Sequence, residues 1–289
     1  MLRRDLIPLL LLSFSACSRG PEPSNAVLTT TPVSGSALEL PDDQAGRLLA
    51  RSIAAAGGWH TWRRHRDASF ISTFTIFDPR GNATSETIFL HKLLLHSGAR
   101  SRLESIGLDD ELLFGLDGLD WWMMRSGRPL SDERSTAFTR FDAVSAEYWF
   151  QVPFVLAEIP GTLTYAGSDS EGAKRWEKLR VEYDSAAAVP ANWVVAYVNV
   201  ETGLVDRVFC EIRTEFLRQK LWRGEFDEYR RIDGIVRERR REFFPVDSSD
   251  KLLGTKAAQQ LVEHIRFDND FPPELFVRPP LAAGPRTAT

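Results

Sequence analysis

The chain has 289 residues, 43% of them hydrophobic, and a formal net charge of −4. That is enough apolar material for a substantial core, and so small a charge excludes a global field for gripping nucleic acid. Only two cysteines occur, Cys17 and Cys210, too few for a disulfide-built scaffold.

Arg3 and Arg4 precede an apolar run over residues 6–16 that meets Cys17. The run is about half of the roughly 20 residues a membrane span needs, so it reads as a secretory signal. Ordinary signal peptidase takes small residues at −1 and −3, yet a cut after Ala16 places Phe14 at −3. "FSACS" resembles the lipobox of bacterial lipoproteins, with Phe14 where leucine is usual. The resemblance implies a signal peptide over 1–16 and a lipid on Cys17, which becomes the first residue of the mature chain. Two or more acyl chains anchor stably where one does not. Ser18 resembles outer-membrane sorting, which gives an envelope location facing the periplasm. Residues 17–40, rich in Ser, Thr, Pro and Gly, read as a flexible tether.

The domain, taken as 41–289 with a short disordered C-terminal tail, opens on "PDDQAGRLLARSIAAAGG". Asp42 or Asp43 can cap a helix there, Leu48, Leu49, Ile53 and Ala56 recur at helical spacing, and Gly57 and Gly58 end it. From residue 68 the period becomes alternating. "ASFISTFTIF" reads as a strand, "DPRGN" as a turn and "TSETIFLHKLLLHS" as a second strand, with further strands at 100–107, 110–116 and 119–125. Segment 132–150 returns to spacings of three and four and predicts a helix across one face of the sheet. Strands resume at 161–166, 176–184, 193–200, 204–213, 219–231, 235–244 and 257–267, with turns at 201–203 and 232–235.

This pattern predicts a mainly β (α+β) domain: one large, curved antiparallel sheet with helices inside the curve. Several strands are apolar on both faces, as where Ile88, Leu90 and Leu94 alternate with Phe89, Leu93 and Leu95. Such a sheet needs a cover, from helices or from a hydrophobic ligand.

The block order "AAAGGWHTW", "DGLDWW", "YWFQVPFVLAEIPGTLTYAG", "WVVAYVNVETGLVDRVFCEI" and "ELFVRPP" resembles the LolA-like superfamily, the periplasmic lipoprotein carriers and their lipid-binding relatives, over residues 42–280. More narrowly it resembles exported bacterial proteins related to LolA. The resemblance implies a half-barrel closed by the N-terminal and inserted helices, and an acyl chain or other apolar ligand. Anchoring through Cys17 resembles the LolB-type acceptor more than the soluble carrier.

Catalytic readings fare worse. Asp117 and Asp120 could flank a scissile bond at the roughly 5–9 Å that glycoside hydrolysis needs, but "LDGL" has hairpin chemistry. His91 and His96, five apart on an expected strand, face opposite ways, and His60, His65 and His264 lack metal-ligand spacing. "SSDK" (248–251) matches a serine-hydrolase pattern in letters but lacks its companion elements. Cys210 reads as a buried strand thiol. The segment "RQKLWRGEFDEYRRIDGIVRERRREFF" (218–244) threads acids through its basic and aromatic residues, so it reads as a solvated face or charge-protected edge, with contact to anionic headgroups or a protein partner as the alternative.

The positive candidates are apolar. Phe70, Phe74 and Ile76 form one row and Phe89 faces the next strand. Trp121, Met123 and Trp122 occupy a hairpin whose two faces they divide. Tyr148, Trp222 and Phe226 complete a set suited to an adaptable apolar pocket. The sequence thus predicts a non-enzymatic, membrane-anchored exported lipoprotein that binds a lipid or lipoprotein acyl chain between sheet and helices, with no cofactor, no metal and no nucleic acid. The alternative is a scaffolding envelope lipoprotein whose cavity is self-filled and whose ligand is a protein partner.

Overall fold

The computed structural model describes residues 38–280, apart from 97, 119, 131, 132, 186, 215 and 216. The expected leader, Cys17, the expected tether up to residue 37 and the expected tail from 281 lie outside the described residues.

Helix α1 (Gln44–Ala55) begins where expected: Asp43 is extended and its carboxylate accepts from the Gly46 amide at 2.8 Å. At its end Gly57 has φ +122, and a Cβ there would collide with the Gly234 carbonyl, so glycine is required. A short helix α2 (Trp59–Arg64) follows directly. It was not legible beforehand, because six residues carry too little periodicity.

Among the described residues, fifteen strands then alternate with two more α-helices, and a short 3-10 helix (Pro273–Phe276) follows the last strand. The first six are β1 (Asp67–Phe77), β2 (Ala83–Leu94), β3 (Arg100–Ile106), β4 (Leu112–Asp117), β5 (Asp120–Arg125) and β6 (Arg128–Pro129). Helix α3 (Glu133–Gln151) and the short α4 (Val155–Glu158) interrupt the meander. The second half runs β7 (Gly161–Glu171), β8 (Lys174–Tyr183), β9 (Ala191–Asn199), β10 (Val205–Ile212) and β11 (Leu221–Asp227), then β12 (Arg230–Ile232), β13 (Ile235–Arg237), β14 (Arg240–Pro245) and β15 (Ala258–Phe267). Thirteen of them form one antiparallel sheet in the order β6-β5-β4-β3-β2-β1-β15-β14-β11-β10-β9-β8-β7. Its two ends do not pair, so the sheet stays open.

Two continuous strands expected at 219–231 and 235–244 are each broken. The chain leaves the sheet at Glu228 (φ +56), turns at Asp233 (φ +48) and Gly234, and makes a separate β12-β13 hairpin before rejoining at β14. A bond from the Val236 amide to the Ala56 carbonyl (2.8 Å) holds this hairpin over the end of α1. The alternation of side chains runs through the excursion, so period alone conceals it.

Helices α1 and α3 lie on the same face of the sheet, α1 against β7 and β8 and α3 against β3 to β5. The main core sits between them and joins Leu48, Leu49 and Ile53 of α1 to Phe150 of α3, Phe154 and Leu156 near α4, and Leu179, Val194, Ala196 and Val208 of the sheet. At the end of α3 the Phe150 ring stacks on Phe70 at 4.7 Å, Trp149 meets Phe226 edge-on at 6.3 Å, and the Tyr148 and Tyr183 hydroxyls are 2.8 Å apart. The last turn of α3 therefore fills the deep part of the trough. No described helix is long and apolar enough to cross a membrane.

Candidate functional site

Register assigns every strand residue to one of two faces, because directly opposed residues in an antiparallel ladder share a side. Along β1 the helix-facing row is Ala68, Phe70, Ser72, Phe74 and Ile76, and its exposure rises steadily outward: 0% at Phe70, 1% at Ser72, then a half-buried Phe74 and 42% at Ile76. The helices cover the inner end of the trough. Its outer end is a mouth.

Two ladders of side chains cross the mouth. The inner one pairs Phe226 with Arg241, Arg241 with Gln260, Gln260 with Phe74 and Phe74 with Thr87. The outer one pairs Gly224 with Phe243, Phe243 with Ala258, Ala258 with Ile76 and Ile76 with Ser85. Gly224 is needed here, since a Cβ would sit 2.9 Å from Val208 and 3.2 Å from the Phe226 ring. Phe74, Ile76 and Phe243 thus form a partly exposed apolar strip on the concave face.

A polar thread lies just inside that strip. Arg241, 1% exposed, donates from Nε to Glu238 Oε1 (2.7 Å) and from Nη1 to Gln260 Oε1 (2.9 Å). Glu238 also faces Arg237 at 3.4 Å. Arg237 in turn donates to the carbonyls of Phe150 and Val152 at the end of α3. His91 stacks on Phe70 at 4.3 Å, and its Nε2 lies 2.7 Å from the Ser72 hydroxyl. Burial, together with the Arg241 charge, pushes its pKa down to about 3, so the ring is neutral. Its Nδ1 has no hydrogen-bond partner among the described residues.

The reading of 218–244 as a solvated face or charge-protected edge is corrected at four of its charges, while Arg218, Glu228, Arg230, Arg231 and Asp233 are exposed. Arg223, Arg237, Glu238 and Arg241 are all buried, each held by a carboxylate, a guanidinium or a carbonyl. Composition shows charges but not their pairing, and pairing is what permits their burial.

The ten apolar candidates divide by position. Phe74, Ile76, Phe226 and Trp222 belong to the mouth, with Phe89 opposite Ser72 one step inward. Phe70 and Tyr148 are deep core. Trp121 packs with Leu116 and Val144, and Met123 with Leu103, Phe114 and Ala146, both beneath α3. Trp122 lies on the opposite, outer face, where its Nε1 donates to the Phe276 carbonyl (2.9 Å) and Gly115 makes room for its ring. Sequence reasoning missed Phe243, Arg241 and Gln260; the alternation Arg241-Phe243 was the available signal, masked by the surrounding charges.

The alternatives resolve into structure. Asp117 accepts from Arg100 Nε (2.6 Å) and opposes Asp120 across a turn in which Gly118 has φ +66. His65 is held by Asp268 and His96 by Glu158, each at 2.8 Å. Asp247 Oδ1 accepts from the Ser249 and Lys251 amides, so "SSDK" is a turn. Cys210 is buried, which pushes its thiol up to about 12.

Glu147 of α3 is a buried acid whose pKa burial raises from 4.5 to about 8, against the bond donated by Gln151. The folded state therefore binds more protons than the unfolded one between those values, so stability falls as pH rises through that window. Glu147→Gln removes this linkage. Its stability advantage over the parent is expected to grow from pH 5 to pH 8 in urea melts; an advantage independent of pH contradicts the assignment.

No family model matches the sequence, and no curated protein does. Solved structures of similar fold are found. A LolA superfamily protein from Nitrosomonas europaea has a TM-score of 0.52 at 12% identity, over 81% of this chain and 97% of its own. A DUF1329 family protein from Desulfovibrio piger has a TM-score of 0.49 at 11% identity, over 81% of this chain and 98% of its own. With thirteen antiparallel strands left open around helices that line one face, this chain has a LolA-like fold.

Proposed function

We propose that this is an exported, lipid-anchored envelope protein that binds a hydrophobic ligand, a lipid or the acyl chain of a lipoprotein, at the mouth of the trough. The observation that carries the reading is the concave strip of Phe74, Ile76 and Phe243, which faces the helix side of the sheet yet stays partly exposed. Each methylene moved from water onto such a surface contributes about 0.8 kcal/mol, so about ten would supply roughly 8 kcal/mol before the cost of association. Anchoring through Cys17 and the tether over 17–40 keeps the domain near its membrane, with the outer membrane as its site and the periplasm as its compartment. Binding and release need no chemical step, which accords with a non-enzymatic role.

A second reading, a scaffolding lipoprotein with a self-filled cavity, takes its support from Phe150, Trp149 and Tyr148, which already fill the deep end. The two part at the mouth. On the binding reading, Ile76→Glu combined with Phe243→Glu weakens a fluorescent fatty-acid probe by at least about 10-fold, as burying a charge beside an alkyl chain requires. Because Ile76 is 42% exposed and Phe243 half-buried, the fold should survive. Probe affinity unchanged by this pair places the ligand elsewhere, and no probe binding by the parent favours the scaffold.

A further inference from the structure

We infer that the ligand held at this mouth has an anionic head group, received by Arg241 and Gln260 while its chain lies on Phe74, Ile76 and Phe243. The inference rests on the hydrophobic-ligand reading above and adds the chemistry of the other end of the molecule.

The first support is a charge imbalance. Arg237 and Arg241 are 3% and 1% exposed, and both are paired to one carboxylate, Glu238, itself 2% exposed. Among the described residues no other carboxylate is in ion-pair distance of either guanidinium. Arg237 donates to the carbonyls of Val236, Phe150 and Val152, so it is committed to the fold. The two guanidiniums thus carry one positive charge more than the carboxylate they share, and Arg241 Nη2 is buried with no hydrogen-bond partner among the described residues. Keeping an unbalanced charge out of water is costly, and an anion arriving at the site offsets that cost.

Position is the second support. Arg241, Gln260 and Phe74 stand side by side in one ladder, and the next ladder outward is the apolar strip. A chain lying along the strip thus ends beside a guanidinium and a primary amide. Gln260 gives its oxygen to Arg241, which turns its NH2 toward the role of donor.

The neighbourhood on the inner side is the third. Ser72, one ladder inward of Gln260, and His91, opposite Phe70 in the ladder after that, add no negative charge: the hydroxyl and imidazole bond each other, and the ring is neutral with Nδ1 unpartnered among the described residues. A carboxylate or a phosphate monoester has the acceptor-only chemistry this set recognises. A neutral alcohol or ester does not.

The test uses the full chain carrying Cys17→Ser, so that no acyl group of its own competes. Dansyl-undecanoic acid and its methyl ester are titrated in parallel. The acid is expected to bind at least about 10-fold more tightly than the ester, the range of one charge-assisted pair. Arg241→Gln should erase that preference, weakening the acid at least about 10-fold more than the ester, whereas Glu238→Gln, which removes the competing carboxylate, should strengthen acid binding. Palmitate and lysophosphatidate compete in separate arms, and the better competitor identifies carboxylate or phosphate as the natural head group; hexadecanol should compete at least about 10-fold more weakly than either. Equal binding of acid and ester by the parent overturns the inference while leaving the apolar site standing. Binding of neither probe overturns both. Should Arg241→Gln fail to fold, the acid-to-ester ratio of the parent and the response of Glu238→Gln still decide.

Discussion

Arg237→Ala is expected to lower the unfolding free energy by about 3–5 kcal/mol, the range found when one member of a buried charged network is deleted. The guanidinium joins three parts of the fold: it closes the end of α3 through the Phe150 and Val152 carbonyls, faces Glu238 at 3.4 Å, and lies 5.8 Å from the Phe150 ring centroid. Alanine leaves two carbonyls without that donor in a region that water does not reach, and each such group costs about 1–3 kcal/mol. Arg237→Lys should recover only part of the loss, because a single ammonium on a shorter reach cannot reproduce the planar fork that spans both carbonyls. Urea denaturation measures all three proteins. A loss under about 1 kcal/mol for the alanine variant would show that the end of α3 is held by packing alone.

Phe150→Ala is the second large effect, also expected at about 3–5 kcal/mol from lost transfer energy and the cavity left behind. The ring is fully buried, stacks on Phe70 and approaches Phe267 at 6.1 Å. Because it also sits beneath Arg237, the two substitutions share a contact and should not be additive. A double-mutant cycle is expected to give a coupling of about 0.5–3 kcal/mol, and strict additivity would separate the helix end from the aromatic stack.

Much of this architecture is legible in the sequence because its physical cause is local. Alternation of apolar residues in 68–77 and 193–200 specifies strands with one face toward a cover, and Asp43 with Gly57 marks both ends of α1. The break at Glu228 is not legible, since a non-glycine residue at positive φ leaves no mark in a pattern of alternating side chains. Period two also says that Trp121 and Trp122 part company, but not which one meets the helices. That is decided by Phe276, some 150 residues later, whose carbonyl receives the Trp122 indole. The site is half legible for the same reason. Phe74 and Ile76 announce themselves by composition, whereas Arg241 looks like one more solvated charge until Glu238 and Gln260 are found around it.

Glu147 and His91 show how the trough tolerates titratable groups. Burial acts on both by disfavouring the charged form, raising the acid to about 8 and lowering the base to about 3, so each stays neutral at pH 7.

Native mass spectrometry of the folded full chain carrying Cys17→Ser, released gently from cells, tests the central claim most directly. A population one lipid heavier than the bare chain, lost when Ile76 and Phe243 are both replaced by glutamate, is the expected spectrum. A bare chain mass in every preparation, with no lipid recovered by extraction and no uptake of added fatty acid, contradicts a ligand-binding trough.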